Sequence, residues 1–484
     1  MCLAERPARK TAEGGCTVKS VIRAWRLGLA VVVSTMLIGV GNAASAGTSS
    51  DWSAYLDGPA HSSFNAADTA ITPGKAATLV QKWKFRGDPA AMSGQPGPAL
   101  FSSPTVAGGA VYIGANTGWF YKLNEATGAV NAKVFLGYRP KLTCAARGFI
   151  STATVAADPS DGQDTVYVGA PDGYLYALRA SDLSIKWRAV IDVPSTTVND
   201  FFMWSSPTVA NGKIYIGSAS HCDKPLTRGA LVGYDQATGK EFARFFTVPP
   251  GILGGGIWTS AAVDSSGFVY ASTGTQPKTT TNRYYSVSIV KLDPNTLQPL
   301  ASFTVPNSQL GGDSDFGGSP VIFGSYVGAC NKNGIFYALN RSTMTVAWET
   351  KIGAKSSGSS VAQCSAAPIY DGTSLYVAGD PTTIGGVSYE GSIRRLNPST
   401  GAILWQTGLP DSALGSPAMN GGGVIAVGTF DYTTTPDAVY LVNASTGNIL
   451  RTLTTGGHYF AQSVFANGML FTASTTGKLI AWGL

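Results

Sequence analysis

Short runs of alternating apolar and polar residues recur along this chain, separated by turns rich in Gly, Asn, Asp and Thr-Gly. That period-two pattern predicts short antiparallel strands rather than helices. One unit repeats. It opens with a small-residue strand such as Ser102-Ser103-Pro104-Thr105-Val106 and continues with a β-branched strand such as Ala110-Val111-Tyr112-Ile113-Gly114. A third strand follows, as in Tyr174-Leu175-Tyr176-Ala177-Leu178, then an Asx or Thr-Gly turn and a fourth strand. Aligned on that last turn, the units mark Thr127, Asp182, Thr238, Thr296, Thr343, Thr400 and Thr446, spaced 46 to 58 residues apart.

Five residues beyond the turn stands a tryptophan in three units, Trp187, Trp348 and Trp405; Trp83 follows Thr78 at the same offset. An indole at a fixed place in the outermost strand reads as a wedge between neighbouring units, burying a large apolar area. The C-terminal stretch Thr476 to Leu484 has the form of a third strand with no fourth after it, and the stretch Thr78 to Phe85 supplies one near the start. Seven anchors and this split unit predict an all-β fold, an eight-bladed β-propeller of four-stranded antiparallel blades. An N-terminal strand completes its last blade. Residues 47–484 then form a single propeller domain, with residues 51–74 as a lead-in packing across the ring.

Composition agrees: 59 glycines and few charges suit a large all-β protein with many tight turns. Residues 1–46 read as a cleavable signal peptide. A basic stretch through Lys19, Arg23 and Arg26 precedes the apolar run Leu27 to Val40, and Ala44-Ser45-Ala46 supplies small residues for cleavage. No lipid-anchoring cysteine follows the run, and no second long apolar run occurs, so the expected protein is secreted, with no membrane span in its mature form. The leader carries six basic and two acidic residues, so the net charge of +6 falls to +2 without it. Nucleic acid is therefore an unexpected partner. Four cysteines remain after processing, Cys144, Cys222, Cys330 and Cys364, and three pairings are open.

Familiar catalytic motifs are missing. There is no His-Glu-x-x-His, Gly-x-Ser-x-Gly, Walker-type loop or Cys-x-x-Cys-His haem site, and the three histidines, His61, His221 and His458, are far apart in sequence. The run His221-Cys222-Asp223 reads as a polar loop between the middle strands of blade three rather than as a metal cluster.

The repeats resemble those of the quinoprotein alcohol dehydrogenases and their relatives with pyrroloquinoline quinone-type repeats. That group includes the polyvinyl-alcohol dehydrogenases, to which the chain looks nearest, and non-catalytic outer-membrane assembly lipoproteins. Specific stretches carry the resemblance. Lys332, in Lys332-Asn333-Gly334-Ile335-Phe336-Tyr337, matches a basic residue that contacts the quinone. Asp315, in Asp313-Ser314-Asp315-Phe316, matches the catalytic base and a metal ligand. Trp258, in Ile257-Trp258-Thr259-Ser260, matches the platform under the quinone. Arg147, in Cys144-Ala145-Ala146-Arg147-Gly148, follows the place of a paired cysteine cap.

The resemblance implies pyrroloquinoline quinone and calcium as cofactors, an alcohol, polyol or polymer as substrate, and a separate electron acceptor. Calcium would take Asp223, Thr275 and Asp315. It also implies a ligand-binding channel mouth, where Cys144–Cys222 and Cys330–Cys364, each pair from neighbouring blades, would staple loops.

The chain departs from the family pattern at several of these places. Cys144 stands alone where the family has two adjacent cysteines, Phe101 stands for a glutamate, Thr275 for an asparagine, and Asp223 matches a ligand glutamate only after a one-residue shift. Read blandly, Trp258 packs blades, Asp315 caps a glycine-rich turn and Lys332 sits on a hairpin. The departures leave two alternatives to the oxidoreductase: a non-catalytic propeller that binds protein or polysaccharide, and, less favoured, a polysaccharide lyase.

Overall fold

The computed structural model describes residues 50–355, 363–430 and 437–484; the expected signal peptide, 1–46, lies outside them. Eight four-stranded antiparallel blades form a propeller, and two of them gain a fifth short strand, Phe64–Asn65 on blade seven and Phe201–Phe202 on blade three. In chain order the blades cover 105–135, 154–190, 208–246, 262–304, 321–351, 369–409 and 418–453. The eighth combines Val464–Ala466, Met469–Ala473 and Lys478–Gly483 with the early strand Val80–Arg86. That strand pairs antiparallel with Lys478–Gly483, placing Trp83 opposite Ala481 and Gln81 opposite Trp482. The ring closes as the split unit predicts. Among the described residues no helix is long and apolar enough to cross a membrane.

The tryptophans are packing residues. The Trp83 indole lies over the turn of blade one, so close that a Cβ added at Gly128 would sit 2.5 Å from the ring, and its Nε1 donates to the Glu125 carbonyl at 2.7 Å. Trp187, Trp348 and Trp405 lie in the same way over Gly239, Gly401 and Gly447. Each outermost strand also carries a register shift just before this position, as between Ile185 and Trp187. A one-residue bulge bends and twists the strand, which turns the outer edge of each blade toward its neighbour.

Each innermost strand begins at one end of the channel and runs to the other. At the starting end a belt of hydroxyls links the blades: the backbone N–H groups of Ser103, Thr152, Ser206 and Ser260 donate to Thr152, Ser206, Ser260 and Ser319 of the next blade. Across the seam the Gln462 N–H donates to Ser103. At the other end the lead-in winds across the ring. Trp52 pairs with Val106, while Ser53, Pro59, Ala60, Ser62 and Ser63 accept N–H groups from blades two, four, five, six and seven. The Asn65 amide reaches the Phe465 carbonyl of blade eight at 2.9 Å. The lead-in is a plug bonded to seven blades.

His61 sits within this plug at 1% exposure, its Nδ1 2.9 Å from the Pro320 carbonyl. Burial pushes its pKa from 6.5 down to about 4. The unfolded chain therefore binds the extra proton first, and stability should fall as pH drops from 6.5 to about 4, by roughly 3 kcal/mol. Asp57, which burial pushes up to about 7, works in the opposite direction. The effect is thus best read as a difference: urea unfolding at pH 7 and pH 4.5 should show a larger acid loss for the wild type than for His61→Gln. Equal losses would remove His61 as the cause.

Candidate functional site

The loops joining second to third strands, and those joining one blade to the next, gather at the end of the channel opposite the plug. There they enclose a cavity of about 370 Å³. Its lining includes every residue that the sequence comparison brought forward: Arg147, Asp223, Trp258, Thr275, Asp315 and Lys332. These come from blades one to five, and the ring alone brings them together.

The polar part of the wall centres on Thr275. Its single hydroxyl lies 2.9 Å from Asp223 Oδ2 and 3.2 Å from Asp315 Oδ2, and it has one proton for two carboxylate oxygens. Asp223 is held in the left-handed backbone region, at φ 58°, with its other oxygen accepting from Ser220. Such a conformation is uncommon for a residue other than glycine. Asp315 is buried. Its backbone N–H points to Asp313 Oδ1 at 3.4 Å, and its carbonyl accepts the Lys332 N–H at 2.9 Å. Gly274 lets the carboxylate approach, because a Cβ there would stand 2.9 Å from Asp315 Oδ2 and 3.1 Å from Trp258 Nε1.

Lys332 Nζ binds Asp313 at 2.8 Å and lies 3.8 Å from Asp315 and 5.1 Å from the centre of the Trp258 ring. Burial, reinforced by the negative charges of Asp313 and Asp223, raises the Asp315 carboxyl to about 6; Lys332 and the Thr275 hydroxyl pull it back. For Lys332 burial opposes the charged form, but Asp315 and Asp313 outweigh it and hold the ammonium above its ordinary value.

The rest of the lining is apolar and aromatic, including Phe101, Trp204, Leu414, Phe430 and Phe460. The Arg147 guanidinium stacks over Phe101 at 4.7 Å, so the residue standing where the family has a glutamate serves as a face for the arginine. His221 also lines the cavity, at 4% exposure, stacked on Phe202 at 4.6 Å and 16°. It lies in the loop between the middle strands of blade three. No local pattern in the chain marks this ring as part of the lining.

Both expected disulfides form. Cys144–Cys222 spans 6.2 Å between Cα atoms and joins two mouth loops, with Cys222 on the cavity wall. Cys330–Cys364, at 4.9 Å, ties the end of the strand Tyr326–Asn331, next to Lys332, to the connection leading into blade six, with both sulfurs buried in a hydrophobic cluster.

These residues fit the cofactors that the resemblance implies. The buried Trp258 Nε1 has no protein partner, and an indole with Lys332 5.1 Å from its centre, in a cavity that Arg147 also lines, suits a flat, carboxylated ring. Three side-chain oxygens converging on one proton suit a hard cation. Calcium takes six to eight oxygens, so two carboxylates and a hydroxyl supply only part of its shell.

A family model for the β-propeller domain of glucose/ethanol/alcohol dehydrogenases matches residues 52–296, and one for the outer membrane protein assembly factor BamB matches residues 389–482. The dehydrogenase subunit of an alcohol dehydrogenase (quinone) from Gluconobacter oxydans is 31% identical over 30% of this chain and 19% of its own length. A lupanine 17-hydroxylase [cytochrome c] from Pseudomonas sp is 28% identical over 46% of the chain and 31% of its own length. The chain thus spans about a fifth to a third of these relatives. Among solved structures, a europium-containing methanol dehydrogenase superposes with a TM-score of 0.68 at 14% identity, covering 90% of this chain and 98% of that one. Moraxella catarrhalis BamB gives 0.54 at 15%, covering 84% and 100%. At these identities the structural likeness speaks for the fold alone.

Proposed function

We propose, from the premise that this chain belongs to the glucose/ethanol/alcohol dehydrogenase β-propeller family, that it is a secreted quinoprotein oxidising an alcohol or polyol. The observation that carries the reading is the convergence of Arg147, Trp258, Asp315 and Lys332, from different blades, on one cavity.

In this reading Trp258 offers its face to the planar pyrroloquinoline quinone, Arg147 and Lys332 offset the charge of its carboxylates, and Asp223, Thr275 and Asp315 hold calcium. When bound, the quinone supplies the two-electron acceptor and calcium a Lewis acid. Asp315 takes the hydroxyl proton of the alcohol. Burial and the charges of Asp313 and Asp223 favour its protonated form over that of an ordinary aspartate, which suits a proton acceptor. Thr275 and Lys332 fix its orientation through the contacts at 3.2 and 3.8 Å, and the aromatic wall keeps bulk water from the reacting atoms. Electrons then leave to a separate acceptor.

Phe101 and Thr275, standing where the family has a glutamate and an asparagine, favour a second reading: a propeller that binds protein or polysaccharide and no quinone. One experiment separates the two. Isothermal titration of the purified protein with pyrroloquinoline quinone in calcium should give saturable micromolar binding, followed by alcohol-dependent reduction of an artificial dye. Absence of binding would leave the second reading.

A further inference from the structure

Blade six carries a hairpin between its second and third strands, with Thr382–Ile384 paired to Val387–Tyr389. The Tyr389 ring packs over Gly408 of the outermost strand and holds the hairpin down. Between this hairpin and the end of blade five lies a cleft of about 410 Å³. It shares no lining residue with the cavity at the channel mouth. Its two sides are pinned together. The Ala354 N–H donates to the Pro381 carbonyl at 2.8 Å, and the Ile352 N–H to the Gly334 carbonyl at 2.7 Å.

Arg394 lines this cleft, at 3% exposure. Three of its five N–H groups meet neutral acceptors: Nε donates to Gln406 at 3.2 Å, Nη1 to Ser392 at 2.7 Å and Nη2 to Thr382 at 2.7 Å. One N–H on each terminal nitrogen is left without an acceptor among the described residues. Nor does any carboxylate among them stand within ion-pair distance. Asp380 acts on the guanidinium from farther off, and one of its oxygens accepts the Ala413 N–H at 2.7 Å. Burial pulls the Arg394 pKa down to about 10 against that distant charge, so the group stays a cation at neutral pH. Buried charges in folded proteins are normally paired. This one is not.

The rest of the lining indicates what completes it. Two N–H donors on a planar fork match the two oxygens of a carboxylate. Ile352, Pro381 and Ile403 give the cleft an apolar side, and Lys351, exposed at the rim, adds a second positive charge. We infer that the cleft between blades five and six binds a small organic carboxylate, its charged group on Arg394 and its hydrocarbon part against Ile352 and Ile403. The site is independent of the quinoprotein reading and stands whether or not that reading holds.

Hexanoate is a direct probe, titrated by ligand-observed NMR into the purified protein with no quinone added. Saturable binding at about 0.1–1 mM is expected, with the uncharged hexanamide weaker by about tenfold or more. Sulfate, which has no apolar part, should compete only weakly. Arg394→Met fills similar space without the charge and should abolish hexanoate binding. Should that variant not fold, as judged by circular dichroism, Ile403→Glu decides. Ile403 is 43% exposed, and a carboxylate on that wall should weaken hexanoate by about tenfold while leaving hexanamide within about twofold. The site is overturned by no saturable binding up to about 10 mM, by equal affinity for hexanamide or sulfate, or by hexanoate binding that survives these substitutions.

Discussion

An Asp315→Asn variant is expected to lose alcohol-dependent dye reduction by about 10²- to 10⁴-fold, the usual contribution of a positioned general base. The amide is nearly the same size and can still meet Thr275 and Lys332, so melting temperature should stay close to that of the wild type. The variant should still bind the quinone, because Trp258, Arg147 and Lys332 are untouched. Steady-state rates with saturating dye test the loss. Retention of more than a tenth of wild-type turnover would place the base elsewhere.

Replacing Trp83 by alanine is expected to cost about 3–5 kcal/mol, the range for removing a large buried aromatic side chain. Trp83 is 7% exposed, lies over Gly128 of blade one, meets Phe471 at 5.8 Å and donates to Glu125. It also stands on the strand that completes the eighth blade, so the loss falls on the ring's seam. Trp187→Ala is a useful companion, since the Trp187 Nε1 is buried with no partner and a smaller loss should follow. Equilibrium unfolding in urea measures both; a Trp83→Ala loss below about 1 kcal/mol would contradict the packing argument.

How far these features could be read from the chain depended on whether they are local. The blade count and the seam were legible because alternation, turn chemistry and the tryptophan offset are properties of neighbouring residues. Arg147, Trp258, Asp315 and Lys332 stand out through a family resemblance and not through any local pattern, and the ring brings these residues of different blades onto one cavity. His221 does not: its environment is made by Phe202, Trp204 and two arginines from other loops. The bulge in each outer strand leaves no mark in composition.

The lead-in has a consequence for traffic through the channel. Bonded to seven blades at the far end, it makes the tunnel a blind alley with one doorway. In the quinoprotein reading, substrate and product would share that threshold, so departure of one molecule would gate arrival of the next.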